Sequence, residues 1–259
     1  MRQRLTRDWT VRIQKSNDSK IRKFKVLVSG REGSGKTEFA GGWPKPFFIA
    51  TEEGTLSLAD KEIPFMFIPN DVPVYDTVLM ILLEAKAKTG AFSADGSLGD
   101  RETIVLDSFT SLNQKLMSEI LEANGRIKPE FDDWNTLKFR MSKICSLIPE
   151  LDFHVVGTVG IAVKDDSITK MSTPTIDLDG GYRERLPHDF DFSLWLTCQT
   201  RGSQTRYIAY TKEYLQKYSK ARVPRSWPEL PKEIENISFN FINNYYQENF
   251  KNDNQSTGT

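Results

Sequence analysis

The stretch that most constrains the fold is VLVSGREGSGKTEFAGG, residues 26–42. It contains the pattern G-x-x-x-x-G-K-[ST], with Gly30, Gly35, Lys36 and Thr37 at the defined positions. The glycines allow the backbone to turn its amide N–H groups toward phosphate oxygens, the lysine reaches the β- and γ-phosphates, and the threonine hydroxyl binds Mg²⁺. The pattern therefore predicts a loop that holds a nucleoside triphosphate. The residues expected to contact it are Gly30, Arg31, Glu32, Gly33, Ser34, Gly35, Lys36, Thr37 and Glu38.

The segments around this loop have the pattern of an α/β fold. Apolar residues predict a buried strand over 23–30, and a helix that begins near Lys36 and stops at Gly41 and Gly42. Further strands are predicted over 46–50, 63–69, 102–108, 152–160, 191–200 and 205–211, and further helices over 74–90, 111–125, 131–150 and 233–250. This alternation predicts a mostly parallel central sheet with helices on both faces.

Composition and length predict one domain with two irregular ends. A basic leader is expected over 1–21, the core over 22–249 and a disordered tail over 250–259. Lys plus Arg and Asp plus Glu are each 35, so a polyanion would have to bind a local patch rather than an overall basic surface. Cys145 and Cys198 lack metal-ligand or disulfide spacing and are interpreted as buried apolar residues. No stretch approaches the ~20 apolar residues of a membrane span, so a cytoplasmic protein without a membrane partner is expected.

A second acid for the metal is expected at Asp107, which ends the apolar run TIVLD. A carboxylate at the carboxyl end of a buried strand can lie beside the phosphate loop and hold Mg²⁺ through water. The expected cofactors are therefore ATP and Mg²⁺, with Thr37 and Asp107 as the metal-binding residues.

These motifs resemble the RecA-type ATPases, and most closely the compact phage proteins that keep only the RecA core and act in single-strand annealing and recombination. The resemblance covers residues 22–225 and rests on GREGSGKT, FFIATEEG, IVLDS and HVVGTVG. It implies a RecA-like fold, in which an extra strand stands between the loop strand and the acid-bearing strand. It also implies Glu52 as the base that polarises the attacking water, with Glu53 as the reserve. Thr158 corresponds to the γ-phosphate sensor, where RecA itself has glutamine.

The segment from Gly160 to Arg185 is too long for an idle connection and predicts a functional loop or a small hairpin. In the resembled family, the sensor relays the nucleotide state to a DNA-binding loop. Basic residues could meet phosphates here and an aromatic ring could stack on a base. The candidates for contact with single-stranded DNA are Lys164, Lys170, Tyr182, Arg183 and Arg185, and the acids that oppose them are Asp165, Asp166, Asp177 and Asp179.

A second basic segment, TKEYLQKYSKARVPRS, follows the last core strands. Lys220 and Arg222 resemble the Lys-x-Arg pair that RecA-like oligomers present from one subunit to the γ-phosphate bound in the next. Positive charge there would neutralise charge that develops in the transition state. The resemblance thus implies a homo-oligomer, a ring or a filament, with its active site between subunits.

Three functions are open at this point. The first is a Mg²⁺-dependent ATPase whose nucleotide state controls single-stranded DNA binding in recombination, annealing or repair. The second is a nucleotide-switched assembly protein whose output is protein docking, which the zero net charge favours. The third is a small-molecule or nucleotide kinase, against which the inserted strands and Glu52 argue.

Overall fold

The computed structural model describes residues 23–165, 172–201, 204–212 and 219–256. The strands are β1 Lys25–Gly30, β2 Pro46–Ala50, β3 Phe65–Phe67, β4 Thr103–Asp107, β5 His154–Val159, β6 Ile161–Asp165, β7 Ser172–Ile176, β8 Phe192–Arg201, β9 Gln204–Tyr210, β10 Lys220–Ala221 and β11 Glu233–Glu235. The helices are α1 Lys36–Gly41, α2 Val74–Ala87, α3 Phe109–Ala123, α4 Phe131–Leu147 and α5 Phe239–Ser256.

The central sheet has the strand order β11-β9-β8-β1-β5-β4-β2-β3, and β10 pairs with the first residues of β8. The six neighbouring strands from β8 to β3 are parallel, whereas β9 runs antiparallel to β8. The predicted α/β fold with a mostly parallel sheet is therefore confirmed. Strand β5 stands between β1 and β4, so one strand separates the loop strand from the strand that carries Asp107.

Alternate residues of each central strand point to opposite faces of the sheet. Because apolar residues occupy both faces, helices cover both of them. Leu27 of β1 packs with α2, α3 and α4 in one apolar core, whereas Val26 and Val28 pack with Trp43 and α5 in the other. All residues of β1, β2, β4 and β5 are buried, as continuous apolar runs in a parallel sheet predict. The helices packed on both faces hold the central strands in place, including the carboxyl end of β1, where the phosphate loop begins.

The C-terminal region differs from its prediction. Residues 233–235 form the edge strand β11, which buries only Ile234, and the helix starts at Phe239 rather than at the predicted residue 233. The helix continues to Ser256, into the segment 250–259 for which a disordered tail was predicted. Tyr246 stacks on Phe250 within this helix, with ring centroids 5.8 Å apart, and both pack in the apolar core that contains Trp43. The predicted basic leader, residues 1–21, lies outside the described residues.

Two other expectations had mixed outcomes. The segment from Gly160 to Arg185 contains the antiparallel hairpin β6–β7, one of the two forms predicted for it. Cys145 is buried as expected, but Cys198 is exposed near the end of β8, where the strand extends past its neighbour β1. Among the described helices, none has the length and apolar composition that a membrane span requires.

Candidate nucleotide-binding site

The phosphate loop connects β1 to α1 at the carboxyl edge of the sheet. Gly33 and Gly35 adopt left-handed backbone angles, with φ of 72° and 83°, which residues with a side chain rarely adopt. A Cβ at Gly30 would lie 2.3 Å from the Ser34 hydroxyl oxygen and 2.7 Å from the Leu196 carbonyl oxygen. Glycine is therefore required at Gly30 by close approach, and at Gly33 and Gly35 by backbone conformation.

Lys36 lies across the mouth of this loop. Its Nζ donates to the carbonyl oxygens of Gly30, at 2.9 Å, and Arg31, at 3.0 Å. Burial lowers the pKa of Lys36, and the described carboxylates that oppose this decrease are Asp107, Glu52 and Glu32. The ammonium group is thus preorganised at the loop and partly desolvated, which strengthens its attraction for an anion.

Ser34 has a buried hydroxyl that finds no hydrogen-bond partner in the described part of the chain. Its residue is only 3% exposed. A buried hydroxyl without a partner costs free energy unless another group satisfies it. Together with the left-handed glycines and Lys36, this hydroxyl fits the oxygens of a bound triphosphate.

Asp107 ends β4 and lies beside the loop as predicted. Its Oδ2 accepts from the Thr37 hydroxyl at 3.0 Å, and its Oδ1 accepts from the Thr158 hydroxyl. The described residues contain no group of three or more His, Cys, Asp or Glu side chains that could hold a metal by themselves. Thr37 and Asp107 instead fit Mg²⁺, which keeps several waters and shares its ligands with substrate phosphates.

The two candidate bases follow β2, the strand next to β4. Ala50 pairs with Asp107, and Thr51 donates from its backbone N–H to the Asp107 carbonyl oxygen at 2.8 Å. Glu52 and Glu53 come directly after Thr51, whose backbone is held by this hydrogen bond, and both glutamates are exposed. The sheet register therefore holds the TEEG segment at the same edge as Asp107 and the phosphate loop.

Thr158 connects Asp107 to the β6–β7 hairpin. It is fully buried near the end of β5, and its hydroxyl reaches the Asp107 carboxylate. Two residues later, the Gly160 N–H donates to the Thr110 hydroxyl oxygen at 2.8 Å, and that hydroxyl donates to the Asp177 carbonyl oxygen at 3.0 Å. Asp177 follows β7, so the base of the hairpin lies beside Thr158, the residue that contacts Asp107.

Comparison with known proteins places the chain in a family. Residues 22–223 match the family model described as AAA domain. The chain belongs to the AAA domain family. This AAA domain protein is a P-loop NTPase that hydrolyses ATP, and Lys36, Thr37 and Asp107 lie close together at its phosphate-loop motif.

Two solved structures resemble the AAA domain protein at low sequence identity. A KaiC-like protein from the hyperthermophilic archaeon Pyrococcus horikoshii OT3 is 16% identical, with a TM-score of 0.42, and the match covers 73% of this chain and 77% of that one. The flagellar accessory protein FlaH from Methanocaldococcus jannaschii is 13% identical, with a TM-score of 0.39 and coverage of 82% and 84%. The search of curated proteins found no match.

The residues predicted to contact DNA are only partly presented to solvent in the AAA domain protein. Tyr182 is 2% exposed and its hydroxyl donates to Asp189 at 2.8 Å, so its ring lies in the core rather than facing a base. The Arg183 guanidinium donates to the Leu178 carbonyl oxygen at 2.8 and 3.1 Å. Arg185 is exposed, with its guanidinium 5.8 Å from the centre of the Tyr182 ring. Lys164 lies in β6 opposite Thr173, and Lys170 is outside the described residues.

Lys220 and Arg222 lie near the amino ends of the parallel strands, whereas the phosphate loop of the same chain follows the carboxyl end of β1. Lys220 pairs with Ser193 at the start of β8, whereas Gly30 pairs with Leu196 farther along that strand. Burial, with the positive charge of Arg222, lowers the pKa of Lys220 to about 8. The Arg222 guanidinium donates to the His188 carbonyl oxygen. This pair therefore does not contact the phosphate loop of its own chain.

Sequence reasoning missed a cleft beside the loop that Tyr207 and Asn236 help to line. Tyr207 reads in the sequence as an ordinary strand residue, and Asn236 falls inside a segment predicted to be helical. No signal in the sequence connects either residue with the phosphate loop, because their proximity depends on the pairing of β8 with β9 and of β9 with β11.

Proposed function

We propose that this protein is a Mg²⁺-dependent, RecA-like ATPase whose nucleotide state controls binding to single-stranded DNA in phage-type recombination, annealing or repair. The observation that carries this proposal is the hydrogen-bonded connection from Asp107 through Thr158 to the base of the β6–β7 hairpin. A bound nucleotide is sensed at one end of this connection, and the hairpin is the output at the other.

The connection gives a physical route for the signal. Thr37 and Thr158 donate to different oxygens of the same Asp107 carboxylate. Mg²⁺ supplies positive charge that neutralises the β- and γ-phosphates. Thr37 and Asp107 would hold Mg²⁺, whose positive charge beside the Asp107 carboxylate would weaken the hydrogen bond that Thr158 donates to it and so adjust the position of Thr158. Because Thr158 is fully buried next to the hairpin, this adjustment changes the stability of one hairpin position relative to another.

Hydrolysis needs a base and transition-state charge in addition to the loop. Glu52 is supported as the base because its charge acts on the Lys36 ammonium, whose Nζ lies at the loop. Lys220 and Arg222 lie near the amino end of β8, away from the loop of their own chain, which supports a role in a neighbouring subunit of a ring or filament. The ATPase is therefore proposed to assemble as a homo-oligomer with its active site between subunits.

DNA is the proposed ligand of the hairpin region because Arg185 is exposed there and Lys164 lies in β6 itself. Backbone phosphates attract such residues without sequence preference. A protein partner is the second candidate, and one observation favours it. Val163 of β6 is 56% exposed, which suits an apolar contact better than a phosphate.

Fluorescence anisotropy of labelled oligo-dT tests the proposal at low salt, with no nucleotide, ADP–Mg²⁺ or ATP–Mg²⁺. We expect the Kd for oligo-dT to differ between nucleotide states in the wild type and to lose that dependence in Lys36→Ala. Lys45→Ala, which removes an exposed lysine that pairs with Glu102, is the matched control and should respond as the wild type does. An absence of oligo-dT binding in all three states would refute the DNA role and leave the protein-docking candidate.

A further inference from the structure

A cleft of about 520 Å³ opens beside the phosphate loop, on the side away from Asp107. Its volume is in the range of ligand sites, which is about 300–1,000 Å³. One wall consists of the loop and α1, with Ser34, Glu38 and Phe39. The other consists of β9 and the segment before α5, with Tyr207 and Asn236.

The strand order decides which part of a nucleotide reaches this cleft. Strands β4 and β2, followed by Asp107 and Glu52, lie on one side of β1, and β9 lies on the other. The γ-phosphate must meet the metal-binding acid and the base for hydrolysis. The ribose and the nucleotide base therefore extend across the loop toward β9 and into the cleft.

We infer that Tyr207 stacks on the nucleotide base in this cleft and that Asn236 selects adenine over guanine. This inference rests on the proposed ATPase function of the same site. It assigns the base-recognition residues of this chain, which lie outside the loop motif.

The position of Tyr207 is suited to stacking. Its ring carbons Cδ1 and Cε1 would be 3.1 and 3.3 Å from a Cβ at Gly35, so the ring lies directly against the loop residue that precedes α1. It pairs with Cys198, two residues beyond the Leu196 that pairs with Gly30, and so lies at the loop edge of the sheet. Although it contacts the loop, Tyr207 remains 39% exposed. A flat aromatic surface beside a phosphate loop is a stacking platform for any base.

Asn236 adds a polar group next to this platform. It is exposed, lines the cleft and has φ of 52°, and its backbone N–H donates to the Tyr207 carbonyl oxygen at 2.8 Å. A side-chain amide offers one acceptor and two donor hydrogens. Adenine presents the N7 acceptor beside the N6 amino donor, which an asparagine amide can match with two hydrogen bonds. Guanine presents the acceptors N7 and O6 at the same edge, which leaves the amide oxygen facing another acceptor.

Displacement of a fluorescent ATP analogue, measured at equilibrium in Mg²⁺, tests both residues through the Kd for ATP and for GTP. We expect the wild type to prefer ATP and Tyr207→Ala to bind ATP roughly 5- to 150-fold more weakly, as loss of a stacked base predicts. Tyr207→Phe restores the ring and should recover most of the affinity lost in Tyr207→Ala.

Asn236→Gly removes the amide while it accepts the left-handed backbone, and we expect it to bind ATP and GTP with similar affinity. Lys88→Gly is the matched control, because Lys88 also has a positive φ, of 53°, but lies at the end of α2. It should keep the wild-type preference for ATP.

The outcomes separate this inference from the proposed function. If wild-type protein binds ATP and GTP equally, or if Tyr207→Ala and Asn236→Gly bind both as the wild type does, the base-recognition role is overturned and the ATPase stands. If the wild type binds neither nucleotide, or Lys36→Ala binds both as well as the wild type does, the proposed site itself is wrong.

Discussion

The hydroxyl of Thr158 gives the sharpest test of how the nucleotide site is connected to the rest of the molecule. Thr158→Val keeps the shape of this fully buried side chain but removes the donor to Asp107, a residue that is itself only 4% exposed. A hydrogen bond to a charged group contributes about 1.5–3 kcal/mol to stability. In a domain of this size each kcal/mol changes Tm by about 2–4 °C, so Thr158→Val should lower Tm by roughly 3–12 °C.

Thr158→Ser is the matched variant, because it keeps the hydroxyl and removes only a buried methyl group, for a loss of about 1 kcal/mol. Thermal unfolding of the nucleotide-free protein, followed by circular dichroism, measures both. Thr158→Val should also lose the nucleotide dependence of oligo-dT binding, whereas Thr158→Ser should retain it. If Thr158→Ser is the less stable of the two, packing rather than the bond to Asp107 explains the residue, and the proposed connection to the hairpin is refuted.

Four further results are expected. Lys36→Ala should lose affinity for a fluorescent ATP analogue and phosphate release together, because one ammonium group serves both. Glu52→Gln should keep ATP affinity and lose roughly 10²- to 10⁴-fold in phosphate-release rate, as removal of a general base predicts; if Glu53→Gln is the inactive variant, the base is the second glutamate. Mixed Lys36→Ala and Arg222→Ala subunits should recover some hydrolysis, and no recovery from folded, assembled protein would exclude a trans-acting Arg222. Burial and nearby lysines lower the pKa of His154 to about 3. Because the unfolded state therefore binds a proton that the folded state does not, the free energy of unfolding should fall as pH drops from about 6.5 toward 3. His154→Asn keeps a hydrogen-bond acceptor but does not titrate, so its urea midpoint should decrease less between pH 7 and 5 than that of the wild type.

The role of His154 shows where local and tertiary information separate. Its Nδ1 accepts from the Phe24 N–H at 3.0 Å, and its ring packs on Phe24 and Trp43. The sequence predicted a strand at this position. These partners lie directly before β1 and just after α1, far along the chain, so the burial that lowers the pKa of His154 could not be inferred from the strand itself.

Predictions succeeded where short segments carry their own structural cause. Strand β2 has the predicted bounds, 46–50, and α1 begins at Lys36 and ends at Gly41 as expected. The predictions failed where contacts with distant segments decide whether residues form a strand or become buried. Residues 233–235 form a strand because the exposed edge of β9 is available for pairing. Tyr182 is buried because its hydroxyl donates to Asp189 and its ring packs in the apolar core. The exposure of Cys198 similarly follows from a strand longer than its neighbour.

The sequence by itself determined the phosphate loop, since glycine freedom, a lysine and a hydroxyl at fixed spacing specify how phosphates are held. It also determined the alternation of buried strands and amphipathic helices that produces the α/β sheet. Only the tertiary structure decided which distant residues surround the loop. Sheet register places Asp107 and the TEEG segment on one side of it and Tyr207 on the other, and it places Lys220 and Arg222 at the far edge. Register depends on pairing between strands that can be more than a hundred residues apart in the sequence, as Val26 and Phe192 are. No local pattern encodes such pairing.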